Sequence, residues 1–160
     1  MSKLLGIDSA TDGNSIGRIA IFFADFSIVD LAVGRSTLRL LLVDDVASCR
    51  KMLSRLLRSD LCICDEAKDG LDAVDKVRIA MSEGIHYDGI FMDASMPNMT
   101  GSEATKAIRA LGYTGKIYGV TGNSLPEDVD EFLEGGANEV KIKPLRMADV
   151  EYLIEGTMDY

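Results

Sequence analysis

The chain has 160 residues, about one domain by length, with enough surface to bury a single core but not two. With 26 acidic against 17 basic side chains the formal net charge is −9. Sequence-independent binding to nucleic acid or to an anionic membrane would then add like-charge repulsion, whereas a basic partner surface or bound Mg²⁺ suits this charge.

Residues 16–33 are the most apolar early stretch, but Arg18, Asp25 and Asp30 interrupt them well short of the roughly 18–20 uncharged residues a membrane span requires. Lys3, followed by only Leu4 and Leu5 before Gly6, makes a poor signal peptide, so the expected location is intracellular and cytoplasmic. Residues 1–36 differ from the rest. A polar, turn-forming patch at Ser9–Ser15 precedes a short apolar segment whose spacing fits neither one helical face nor a clean alternation. Two readings stay open for them: an extension that is partly ordered or left over from a longer parent, or a helix or strand that docks on the domain or on a second copy.

From Leu38 the pattern becomes regular. Residues 38–43 form a continuous apolar strand, interrupted only by Arg39, that runs into Asp44-Asp45. Val46, Cys49, Met52, Leu53, Leu56 and Leu57 then recur at helical spacing, with Arg50, Lys51, Arg55 and Arg58 expected to face outward. Residues 61–65 predict a short second strand. Its Cys62 and Cys64 share one face, and without nearby His or further Cys they read as reduced packing residues. Asp69-Gly70 opens a helix carrying Leu71, Ala73, Val74, Val77 and Met81 that ends near Gly84. Residues 87–92 form a third strand that delivers Asp93 to the loop Ala94-Ser95-Met96-Pro97, after which Thr100 or Ser102 caps a helix stopping at Gly112. Residues 116–120 form a fourth strand ending on Thr121-Gly122. Pro126 suits the first turn of the next helix, whose buried face is expected to carry Val129, Phe132 and Leu133. Residues 138–142 form a fifth strand ending on Lys143-Pro144, and Met147, Val150, Leu153 and Ile154 mark a last helix. Five strand-helix units in about 120 residues imply a doubly wound parallel α/β sheet with ligands at the strands' carboxyl ends, where these polar residues fall.

If the first and third strands are neighbours, Asp44, Asp45 and Asp93 lie close together, and three carboxylates so placed repel one another unless a hard cation neutralises them. Mg²⁺ fits such a set, because it takes octahedral oxygen ligands and keeps waters that a phosphate can replace. Taken as an isolated pair, Asp44-Asp45 would equally serve as a helix cap. Asp93 reads as a nucleophile able to form an acyl phosphate, with Lys143 supplying positive charge to one phosphoryl oxygen and Thr121 a hydroxyl hydrogen bond to another. Gly122 leaves the entrance open.

From about Leu38 to Gly156 the chain resembles the receiver domain of two-component response regulators. The matching residues are Asp44-Asp45, Asp93 in MDASMPNMTG, Thr121 in VTGN and Lys143 in KIKP, together with EAKDGLDAV and GGANEVKIKPL. The VTGNSLPED stretch is similar to receivers of hybrid histidine kinases. The resemblance implies a flavodoxin-like (βα)5 fold with strand order 2-1-3-4-5 over residues 37–157. It also implies phosphoryl transfer from a phosphohistidine to Asp93, with Mg²⁺ bound by Asp45, Asp93 and the backbone carbonyl of Ser95, and with Asp44 acting through a metal-bound water. The implied partners are a histidine kinase or histidine phosphotransfer protein as donor and a downstream target protein; direct nucleic-acid binding is not expected. The only catalysis implied is the domain's own phosphorylation and slow dephosphorylation. In one place the sequence departs from the family: receivers usually carry an aromatic three residues before the fifth-strand lysine, and this chain has Val140.

Two other functions compete with this one. A receiver-like interaction module that signals without phosphate would be favoured by loss of a site residue, and none is lost. A small Asp-nucleophile phosphatase of the haloacid-dehalogenase type would want a second acid two residues after the first, where Ser95 stands. The only histidine, His86, lies just before a strand rather than on an exposed helix, so the phosphoryl donor is expected to be another protein. No DNA-binding output domain is expected after Tyr160.

Overall fold

The computed structural model describes residues 19–21, 29–31, 37–57 and 62–158. The chain divides into two compact units between Ser36 and Thr37. In the first, β1 (Ile19–Ile21) pairs antiparallel with β2 (Val29–Leu31), Ile19 opposite Leu31. The polar patch before β1 lies outside the described residues.

The second unit is a five-stranded parallel sheet of β3 (Leu38–Val43), β4 (Cys62–Ala67), β5 (Gly89–Asp93), β6 (Lys116–Thr121) and β7 (Glu139–Ile142), in the order β4-β3-β5-β6-β7. Counted within this unit the order is 2-1-3-4-5, as the resemblance implied. Five helices connect and flank the strands: α1 (Ala47–Leu57), α2 (Gly70–Ser82), α3 (Gly101–Ala110), α4 (Pro126–Glu134) and α5 (Met147–Met158).

Alternation along the strands builds two cores. Leu41, Val43, Ile90, Met92 and Ile117 point to the face covered by α2, α3 and α4, where Val77, Ile108 and Phe132 meet them. Leu40, Leu42, Phe91, Tyr118 and Val120 point to the face covered by α1 and α5, against Leu57, Val150 and Leu153. Leu40, Leu41 and Leu42 are fully buried in succession, as a strand covered on both faces requires, and each such side chain contributes about 1.5–3 kcal/mol. Cys62 is buried in the second core and Cys64 packs against it.

Helix starts follow their local chemistry. Asp69 caps α2 by accepting from Asp72 N at 2.8 Å. Of the two candidates for α3, Thr100 is the cap: it forms a reciprocal capping box with Glu103. Pro126 opens α4, and Glu127 and Asp128 follow in its first turn, where the helix dipole favours them.

The helices sit with narrower buried faces than apolar spacing alone suggests. On α1, Met52 stays about half exposed while Ser54 is buried, and on α4 Phe132 alone is buried while Leu133 faces outward. On α2 the small residues Ala73 and Ala80 flank Val77 on the buried face, which leaves Leu71 and Met81 outside. β4 runs on to Ala67, two residues beyond the expected end at Asp65, whose carboxylate accepts from Arg39 Nε and from the hydroxyl of Tyr87. Tyr87 is accordingly a buried residue before β5 rather than part of it.

Candidate functional site at the carboxyl end of the sheet

The register places Val43 beside Met92, so the chain leaves β3 and β5 at neighbouring points on one end of the sheet. Asp44 follows β3 directly, and Asp93 is the last residue of β5. One carboxylate oxygen from each of Asp44, Asp45 and Asp93 lies within 4.8 Å of the others. Asp44 and Asp93 are buried, whereas Asp45 is exposed.

Lys143 enters from beyond β6. Its Nζ lies 2.6 Å from Asp93 Oδ1 and 2.9 Å from Asp44 Oδ2, and its backbone N–H donates to the carbonyl of Thr121 at 2.7 Å, which ties the end of β7 to the end of β6. Thr121 closes β6 and is almost fully buried; its Oγ1 accepts from Asn123 N at 3.0 Å. Asp44 has both oxygens engaged, since Oδ1 accepts from Val46 N at 2.8 Å while Oδ2 meets Lys143. The bond to Val46 N closes a turn ahead of α1 rather than capping it, because α1 begins at Ala47 and Val46 N lies outside the helix.

The loop after Asp93 is pinned at its base. Ala94 N donates to the Val120 carbonyl and Gly101 N to the Ala94 carbonyl, both at 2.9 Å, and Met96 is buried, while Ser95 is exposed. Gly101 is required at this point. A Cβ there would strike the Asp93 carbonyl oxygen and come within 2.6 Å of Phe132 Cζ, so no side chain fits between α3, α4 and the end of β5. Gly119, two residues before Thr121, faces the same ring, and a Cβ on it would stand 3.0 Å from Phe132 Cγ.

Electrostatically the site is under-neutralised. Burial pushes the Asp93 carboxyl above its ordinary range; Lys143 opposes this, while the neighbouring Asp44 charge adds to it. Burial also disfavours the charged form of Lys143, but its hydrogen bonds and attraction to Asp93 and Asp44 outweigh that and hold its proton more tightly than usual. One ammonium among three carboxylates leaves an excess of negative charge, and all three offer hard oxygen ligands. A divalent cation such as Mg²⁺ fits that donor set.

Sequence reasoning missed two participants. Arg50, expected to face outward, instead turns inward: its Nη1 donates to the Asp44 carbonyl at 2.6 Å and its Nε to Glu66 at 3.0 Å. It lines, with Asp44, Asp93, Lys143, Cys49 and Leu53, a largely apolar cavity of about 330 Å³ beside the site. Its place one turn into α1, just after the acidic pair, was a usable signal that apolar periodicity ignored. The second is Phe132, whose contact with Gly101 and Gly119 depends on two glycines far apart in sequence.

Comparison with known proteins agrees with this geometry. Residues 40–155 match the family model described as the response regulator receiver domain. The chain is 39% identical to the rice two-component response regulator ORR41 over 115 residues, 71% of this chain and 88% of that protein. It is 37% identical over 108 residues to the Escherichia coli sensor histidine kinase RcsC, covering 68% of this chain but only 11% of that one. Among solved structures, the receiver domain of the Pseudomonas aeruginosa sensor histidine kinase PA1611, which has a magnesium ion coordinated in its active-site cleft, superposes with a TM-score of 0.68. That match covers 78% of this chain and all of the other, at 28% identity. Between Leu40 and Glu155, therefore, this chain belongs to the response regulator receiver domains of two-component signalling.

Proposed function

We propose that residues 37–157 form a module that takes a phosphoryl group from a phosphohistidine donor onto Asp93 and thereby switches binding to a downstream protein. The observation that carries this reading is the meeting of the buried Asp93 with Lys143 at 2.6 Å, beside two further carboxylates and Thr121, at the open end of the sheet. A carboxylate oxygen of Asp93 forms a bond to phosphorus as the donor's N–P bond breaks, and the electron pair of that bond stays on the imidazole nitrogen, which takes up a proton. Such a transfer needs alignment and charge neutralisation more than acid-base help. Lys143 moves from the carboxylates toward one phosphoryl oxygen, and the Thr121 hydroxyl donates to another. Attack of water on phosphorus later returns inorganic phosphate and the free Asp93 carboxylate.

Mg²⁺ would be held by Asp45, Asp93 and the backbone carbonyl of Ser95, and through a bound water by Asp44. It would neutralise charge on the phosphoryl oxygens. The engagement of both Asp44 oxygens, against the exposed carboxylate of Asp45, supports that division of roles.

The donor is a histidine kinase or a histidine phosphotransfer protein, a reading supported by similarity to the receiver part of sensor histidine kinases. The output is a change in protein binding rather than direct contact with nucleic acid, in keeping with a net charge of −9. We place the module in the cytoplasm; no described helix is long and apolar enough to cross a membrane. The test is to mix the chain and Mg²⁺ with a histidine phosphotransfer protein phosphorylated on its histidine, and to follow the label. Transfer to the wild-type chain and none to Asp93→Asn is expected. Label that reaches the Asn variant equally, or that never leaves any of several donors, would favour an interaction module that works without phosphate.

A further inference from the structure

We propose that Arg50 is a positioning residue for the cation site, holding the Asp44–Asp45 peptide so that the Asp45 carboxylate points into the cluster. This rests on the Mg²⁺ reading above. Arg50 lies in the first turn of α1, where its own N–H donates to the Val46 carbonyl. Its guanidinium makes two charge-assisted contacts, from Nη1 to the Asp44 carbonyl at 2.6 Å and from Nε to Glu66 Oε2 at 3.0 Å. Only 14% of its side chain is exposed, although a residue so near the surface could extend into water.

What the first contact holds follows from peptide planarity. The carbonyl of Asp44 and the N–H of Asp45 turn together as one rigid unit, so fixing the oxygen fixes the backbone from which the Asp45 side chain leaves. The two acids are anchored differently. Asp44 is set by its own side-chain bonds to Val46 N and Lys143, whereas among the described residues the Asp45 carboxylate accepts no hydrogen bond. Asp45 therefore depends on its backbone for its aim, and Arg50 grips that backbone. Glu66, the penultimate residue of β4, steadies the guanidinium from the adjacent strand.

A positive charge beside three carboxylates would by Coulomb's law alone repel a cation, and that opposite expectation makes the inference easy to test. If Arg50 acts only as a charge, removing it tightens Mg²⁺ binding. If it positions Asp45, removing it weakens binding.

The experiment is calorimetric titration of the full chain with MgCl₂ for wild type, Arg50→Gln, Arg50→Lys, Asp45→Asn and the double variant, with thermal unfolding in chelator to confirm folding. Arg50→Gln should weaken Mg²⁺ binding roughly tenfold, the scale of one hydrogen bond to a charged group. Arg50→Lys keeps the charge but not the two-pronged donor, and should also bind more weakly than wild type; it stands in if the Gln variant unfolds. In the Asp45→Asn background the Arg50 change should cost little more, because Arg50 acts through Asp45. Unchanged or tighter binding in both Arg50 variants, or fully additive losses, overturns the inference. A wild-type chain that binds no Mg²⁺ overturns the site reading itself.

Discussion

Lys143 Nζ lies 2.6 Å from Asp93 Oδ1 although the strand carrying each residue is separated from the other by β6, so one lysine bridges the end of a neighbouring strand to reach the buried acid. The same ammonium also serves Asp44, and the charge it brings does not cancel the cost of burying Asp93, whose proton affinity is raised by burial first. A carboxyl whose folded pKa is raised destabilises the fold when ionised. Its contribution is most favourable below the unfolded value, about 3.9, and is lost as pH rises through the higher folded value. Asp93→Asn should therefore be more stable than wild type at pH 7 in chelator, and that advantage should shrink as pH falls toward the unfolded value. Urea unfolding at both pH values checks this; a variant less stable than wild type at pH 7 would contradict it.

Adding Mg²⁺ should reverse the order. A cation that binds only the folded chain stabilises it by about 2.7 kcal/mol at a hundred times its dissociation constant, which raises the unfolding midpoint by several degrees. Asp45→Asn should lose more of this gain than Asp44→Asn, since the Asp44 oxygens are already engaged by Val46 N and Lys143. Thermal scans of the three proteins with and without Mg²⁺ decide the point, and equal losses would argue against the assigned roles.

Val140 should make the response to phosphorylation uneven across the sheet. It is only partly buried against the core that contains Phe132, and as a stiff β-branched residue it is too small to fill two alternative positions. Phe132, by contrast, lies against Gly101 just past the Asp93 loop and against Gly119 on β6. A beryllofluoride mimic should thus shift amide resonances of residues 122–128 strongly and those near Val140 weakly. Val140→Tyr should raise the response around β7 without removing phosphorylation. Large shifts of equal size at both places in the wild type would exclude this route.

Residues 1–36 should be dispensable for the receiver fold, because among the described residues both faces of the core are supplied from residues after Thr37. A chain beginning at Ser36 should stay soluble, unfold cooperatively and bind Mg²⁺ as the full chain does. Aggregation or loss of cooperativity would make the segment part of the core or of an interface.

Most of this architecture could be read from local pattern. Apolar runs ending at Asp44, Asp93 and Thr121 mark parallel strands buried on both faces, whereas β7, before Lys143, carries Glu139 and Lys141 and is only partly buried; the order that brings these strand ends together came from the family resemblance. The legible residues are those whose role depends on strand position. Arg50 was misread because helical periodicity sorts residues by apolarity, and a long charged side chain can fold back over a loop it has just left. Phe132 was legible as core but not as the neighbour of Gly101 and Gly119, since that contact depends on how far α4 approaches the sheet. Likewise the exposure of Met52 and Leu133 was not legible, since apolar spacing does not encode how much of a helix face its neighbours cover.

The most direct measurement asks whether Asp93 is the phosphoryl acceptor. The full chain is incubated with Mg²⁺ and acetyl phosphate, its intact mass is recorded, and the product is treated with hydroxylamine before peptide mapping. One added phosphoryl group is expected, stable to acid, labile to base and hydroxylamine, mapped to Asp93 and absent from Asp93→Asn. A phosphoryl group that survives hydroxylamine, that maps to another residue or that persists in the Asn variant would contradict it, as would no labelling of the wild type by acetyl phosphate or other small donors.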